Sequence, residues 1–191
     1  MPYKRLTFIT LLSTFHWLLI ACGSMTIKDT TTQSYIPIQG WILELHQNVV
    51  IPAGRTRVFF QGGRILYAVN EYEPHCQLRV RDISEQPQAV HADRFTIDKV
   101  FGNVGELVST DSILLAAAGA TVIAGGGGNG NGEGRLIYFF FMGLHADKQP
   151  HVTYLVCGGA SEEPFRAEYP TLQDIVTSMG DYATLILPGD D

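Results

Sequence analysis

The sequence predicts a mainly β protein, either an antiparallel β-sandwich or a partly open barrel, with one C-terminal helix. Three observations carry the prediction. Apolar and polar residues alternate with period two through several short runs, and Gly, Pro and Asn punctuate those runs. Only one stretch, near the C-terminus, has a helical stripe.

Residues 41–50 alternate at first, with Trp41, Leu43 and Leu45 on one face and Ile42, Glu44 and His46 on the other. Ile51-Pro52-Ala53-Gly54 is a corner leading to residues 55–61, where Val58 and Phe60 oppose Arg57 and Phe59. Gly62-Gly63 ends that strand, and a further one is expected over 64–69. Residues 77–83 set Leu78, Val80 and Asp82 against Gln77, Arg79 and Arg81. Residues 95–101 place Phe95, Ile97 and Lys99 on one face. Residues 136–144 and 152–157 are nearly all apolar and read as central strands covered on both faces. Pro170 then marks a helix start, and Leu172, Ile175, Val176 and Met179 form its stripe. Gly180 is its C-cap, and residues 184–187 return as a last strand.

The chain has 191 residues, 46% hydrophobic and 17% charged, with net charge −6. That suits one domain and argues against wholesale disorder, a basic nucleic-acid surface or a multi-span membrane protein. Lys4 and Arg5 precede an apolar but interrupted run to Ile20, too short for a comfortable span and fitting a secretory leader. The run ends in Leu19-Ile20-Ala21-Cys22, with Gly23-Ser24 after it, and resembles the lipobox of bacterial lipoproteins. The resemblance implies cleavage before Cys22 and acylation of that cysteine. With more than one chain it gives a stable anchor without a transmembrane helix. Gly23, where inner-membrane retention would favour Asp, points to the periplasmic face of the outer membrane. The expected organisation is therefore a leader over 1–21, a lipidated polar tether over 22–34, and a periplasmic β domain over 35–191.

Cys76 and Cys157 remain, in an oxidising compartment where a pair reads first as a disulfide. A reactive thiol, a metal pair or two unpaired thiols are the alternatives. Without the leader the chain has 11 basic residues against 19 acidic ones, a net −8 with no call for nucleic acid. Arg55, Arg57, Arg79 and Arg81 are the local exception. Within strands, each i, i+2 pair shares a face, so paired strands could gather them against a carboxylate, phosphate or glycan acid. The blander reading is a solvated face partnered by Glu44, Glu71, Glu73 and Asp82.

Residues 113–134 join an apolar half to the Gly-rich run 125–134. No Gly-Lys-Ser/Thr close makes it a P-loop, and no helix follows as a dinucleotide fold requires. It reads as a flexible loop or buried segment, or as an interaction segment. His91-Ala92-Asp93 and His145-Ala146-Asp147 repeat a tripeptide, but the histidines have no ligand spacing and no metal or cofactor is expected. Ser161 has an acid beside it and no base placed by sequence, so no catalytic residue is expected.

Beyond the lipobox, Ile51-Pro-Ala-Gly54, Gln61-Gly62, Tyr72-Glu-Pro-His-Cys76 and Leu155-Val-Cys157 resemble a group of proteobacterial envelope proteins. That likeness covers about half the chain and brings no activity with it. It implies an envelope protein with a paired-cysteine β domain and nothing catalytic; an envelope protein partner is expected with the scaffold role. Two principal functions follow as expectations: a non-enzymatic accessory or scaffold of an envelope complex, or a periplasmic module binding an anionic glycan or lipid group. A periplasmic hydrolase is the remote third.

Overall fold

The computed structural model describes residues 24–107 and 134–188. Cys22 and most of the 113–134 segment lie outside them. Alternation is converted into strands almost wherever it occurs. β1 (Thr26–Asp29) and β2 (Ser34–Pro37) form a ribbon, followed by β3 (Ile42–Leu45), β4 (Val49–Ile51) and β5 (Arg57–Gln61). Then come β6 (Arg64–Leu66), β7 (His75–Val80), β8 (Gln88–Val90) and the long β9 (Asp93–Leu107). β10 (Arg135–His145), β11 (Val152–Gly158), α1 (Leu172–Met179) and β12 (Ala183–Ile186) complete the chain.

Eight strands make one curled antiparallel sheet in the order β12-β3-β9-β10-β11-β7-β5-β6, and β4 pairs with β8 in a second ribbon. Of the two expected forms, the open curled sheet is the one found. The core lies on the helix side. It contains Trp41, Leu43, Leu45, Val58, Phe60, Leu78, Phe95, Ile97, Phe140, Met142 and Leu155, with Ile175 and Met179 from α1. Cys76 and Cys157 face each other on neighbouring strands within it, joined by a disulfide.

Several expectations need correction. The tether expected over 22–34 is part of the domain from Thr26 on. Ile27 of β1 is fully buried, and Asp29 organises the turn by accepting from the Thr31 amide and the Thr32 hydroxyl. The strand expected over 64–69 stops at Leu66. It closes a two-residue hairpin in which Gly62 and Gly63 both have positive φ, the primed turn geometry that matches strand twist. β10 and β11 are central in the sheet; the main core covers one of their faces, and on the other Val156 and Ile137 are buried as well. In α1, Val176 is exposed, and Ser178 joins Ile175 and Met179 in the buried stripe.

Two β-bulges matter most. Leu144 pairs with Ile97 and Gly143 with Lys99, so Asp98 is the extra residue on β9. Likewise Val152 pairs with Val80 and Tyr154 with Arg79, leaving Thr153 extra on β11. Each insertion flips the faces beyond it. Ile97 and Val152 stay in the core, whereas Lys99 and Tyr154 emerge on the opposite side. Lys99 was expected beside Phe95 and Ile97; the bulge at Asp98 overturns that.

Candidate functional site

The sheet face turned away from α1 carries the most distinctive chemistry. Register alone places its rows. Arg57 of β5 pairs with Arg79 of β7, which pairs with Tyr154 of β11; Tyr154 pairs with Gly143 of β10, and Gly143 with Lys99 of β9. The next row reads Phe59, Gln77, Val156, Phe141 and Phe101, and the one after it holds His75, Gly158, Phe139 and Asn103.

The aromatic rings form a continuous floor. Phe101 and Phe141 stack with centroids 5.0 Å apart, Tyr154 meets both edge-on, and Phe139 joins Phe141 to His75. Beneath these rings Val156 and Ile137 are buried without belonging to the main core, so this face has a small apolar layer of its own. His75 lies between Phe59 and Phe139, and burial pushes its imidazole below the ordinary value. Cys76, adjacent in sequence, points to the opposite face because successive strand residues alternate.

Three cations rise from this floor. The Arg57 guanidinium lies 5.5 Å over the Phe59 ring, that of Arg79 5.5 Å over Phe141, and the Lys99 ammonium 5.2 Å over Tyr154. Lys99 reaches its ring across Gly143, where a Cβ would come within 2.6 Å of the Lys99 Cγ. Hydrogen bonding to Tyr154 raises the Lys99 pKa. Arg79 donates through Nε and Nη2 to Gln77 Oε1, at 3.2 and 2.8 Å. Burial, and then the charge of Arg57, lower its pKa.

Like charges directly opposite on neighbouring strands are destabilising, and no carboxylate among the described residues offsets this pair. Of the four expected acidic partners, Glu73 accepts from Asn70 through its carboxylate. None of Glu44, Glu71, Glu73 and Asp82 forms an ion pair with the arginines among the described residues. The partnering expected of the bland reading is therefore absent there. Arg81 donates to the Pro150 carbonyl and, with Lys99, Tyr154, Thr153 and Asp98, lines a hollow of about 430 Å³. Arg55 lies just outside β5 and shares a shallow hollow with Arg57. The structure thus brings Arg57 and Arg79 together, sets Arg55 and Arg81 at the margins, and adds Lys99, which alternation had assigned to the wrong face.

The remaining candidates have local roles. Gln149 clamps the first His-Ala-Asp tripeptide, bonding the His91 backbone on both sides and the Asp93 carboxylate. His145 and Asp147 pair at 3.3 Å, well exposed. The Ser161 hydroxyl accepts from Arg135, which also ion-pairs with Glu162 at 3.6 Å. No group of three metal-capable side chains converges among the described residues, and no described helix is long and apolar enough to cross a membrane.

Fold and site together define a curled β-sheet protein with a cationic aromatic face. Comparison with family models, curated proteins and solved structures finds no match to this chain.

Proposed function

We propose that the chain is a non-enzymatic lipoprotein, held through Cys22 on the periplasmic face of a bacterial outer membrane. Its cationic aromatic face binds an anionic group of an envelope glycan or lipid. One observation carries the reading: Arg57 and Arg79 are held opposite each other, without a carboxylate among the described residues, over a floor of aromatic rings. A fold that accepts such repulsion recovers it when an anion arrives. Guanidinium groups suit carboxylate and phosphate oxygens because their donors come as a planar fork. Lys99 adds a third charge, and the rings take the apolar body of the ligand.

The test is calorimetric titration of the detergent-solubilised full chain. The anionic probes are polygalacturonate and a short-chain phosphatidic acid; dextran and the matching phosphatidylcholine are the uncharged and zwitterionic controls. An anionic probe should bind, more tightly at low salt, and Arg57→Gln with Arg79→Gln should weaken it at least about tenfold, on the order of 1.4 kcal/mol. Absence of binding to both anions, or unchanged binding by the double variant, would reject the proposal.

A scaffold role is the second reading, favoured by two exposed apolar residues on opposite faces of β9, Phe101 at 42% and Val104 at 46%. Recovery of one envelope protein with the double arginine variant, lost with Phe101→Ser and Val104→Ser, would favour it instead.

A further inference from the structure

On the helix side of the sheet, away from the cationic face, a groove of about 400 Å³ runs between the β1–β2 ribbon and the segment leading into α1. That volume falls in the ~300–1,000 Å³ range of small-ligand sites. Its floor is aromatic. Tyr169 stacks on buried Phe140, centroids 4.6 Å apart and planes 24° apart, and Tyr138 meets Tyr169 edge-on at 5.0 Å. Gly102 makes this floor possible, because a Cβ there would strike the Tyr169 hydroxyl and the Met25 methyl. Tyr35, 69% exposed, stands on the ribbon as the opposite wall.

The rim is polar and electrically balanced. Lys28 supplies an ammonium and Glu168 a carboxylate, with Thr26 beside them. Among the described residues these two charges, and the hydroxyls of Tyr35, Tyr138 and Tyr169, form no hydrogen bond or ion pair within the protein. A groove with flat rings below and donors and acceptors of both kinds around its edge matches one ligand shape. A pyranose ring has apolar C–H faces and an equatorial belt of hydroxyls, each both donor and acceptor. The absence of net charge discriminates against a bare anion, which Glu168 would repel.

We propose that this groove is a saccharide-binding site, taking a neutral pyranose ring against Tyr169 with Tyr35 closing over it and Lys28 and Glu168 at its hydroxyls. It shares no residue with the cationic face, so either site can fail alone. Saturation-transfer NMR on the full chain in detergent micelles, with N,N′-diacetylchitobiose, cellobiose and maltose as probes, tests it. At least one disaccharide should receive saturation at its ring C–H protons. Tyr35→Ala, a change at an exposed position that leaves the core untouched, should weaken that binding at least about fivefold, roughly 1 kcal/mol. Arg57→Gln with Arg79→Gln should leave it unchanged. No transfer to any of the three sugars overturns the proposal. So does a loss smaller than fivefold in Tyr35→Ala, or an equal loss in the arginine variant.

Discussion

His75 is buried among aromatic rings, with the Glu73 carbonyl 3.3 Å from its Nδ1. Its pKa is lowered by that burial, so the unfolded chain takes up a proton near pH ~6.5 that the folded chain accepts only at lower pH. The contribution of this group should therefore be complete well above that value and be lost as pH falls through it, leaving the protein less stable at about pH 5.5 than at about pH 7.5. Asp29 and Asp93, whose pKa values are also lowered, act further down, in the carboxylate range. Urea midpoints at the two pH values measure this, and His75→Gln should flatten the difference; an undiminished slope in the variant would exclude the imidazole as its source. At this scale the sequence was informative where a residue's role follows from type and parity. Arg57 and Arg79 share a face because each follows its own strand's alternation. Lys99 and Tyr154 could not be placed, because a bulge is one unpaired residue that leaves no mark in the hydrophobic pattern.

Among the elements, α1 shows how local chemistry fixes a boundary. Thr171 is its N-cap: the hydroxyl accepts from the Asp174 amide at 3.2 Å, while the Asp174 carboxylate accepts from the Thr171 amide at 2.8 Å. Thr171→Ala should cost about 1 kcal/mol, within the ~0.5–2 kcal/mol usual for caps, read as a lower denaturation midpoint at constant slope. A shift below about 0.3 kcal/mol would mean that packing alone holds the helix end. At the other end Gly180 has φ +53°, and a Cβ there would lie 2.6 Å from the Gly63 Cα in the β5–β6 turn. The helix stripe and Gly180 were legible as periodicity plus punctuation. The Thr171 and Asp174 cap pair is legible in residue type, three apart, one residue after the Pro170 that marks the helix start. The exposure of Val176 depends on where neighbouring strands lie, which no local pattern encodes. β1 is not legible in the sequence, because its Thr-rich surroundings have tether composition and only the burial of Ile27 ties the strand to the core.

The whole molecule is an open curled sheet stapled near its middle. The Cys76–Cys157 bridge joins adjacent strands 81 residues apart in sequence. In the chain-entropy description its removal costs about 4.5 kcal/mol at most. Cys76→Ala with Cys157→Ala should lower stability by a large part of that, measured by denaturant unfolding; a change under about 1 kcal/mol would place the constraint elsewhere. The pairing was legible from count and compartment, whereas the sheet order was not, because β3 and β12 meet from opposite ends of the domain. The proposed membrane attachment belongs to the scale of the whole chain too. Cys22→Ala should move the protein from the membrane to the soluble fraction and abolish acyl labelling; retention of either would remove the lipid anchor from the proposal.

The pairing of Leu107 with Arg135 at the far end of the β9–β10 hairpin has an engineering consequence. The chain leaves and re-enters the sheet at neighbouring positions, roughly 5 Å apart, and register is set by ten further pairs behind that point. Each doubling of connector length adds only about 0.6 kcal/mol to closure. A fluorescent tag inserted between the two strands should therefore add little closure cost to the sheet, placing a reporter five residues along β10 from Phe140, the partner of Cys157.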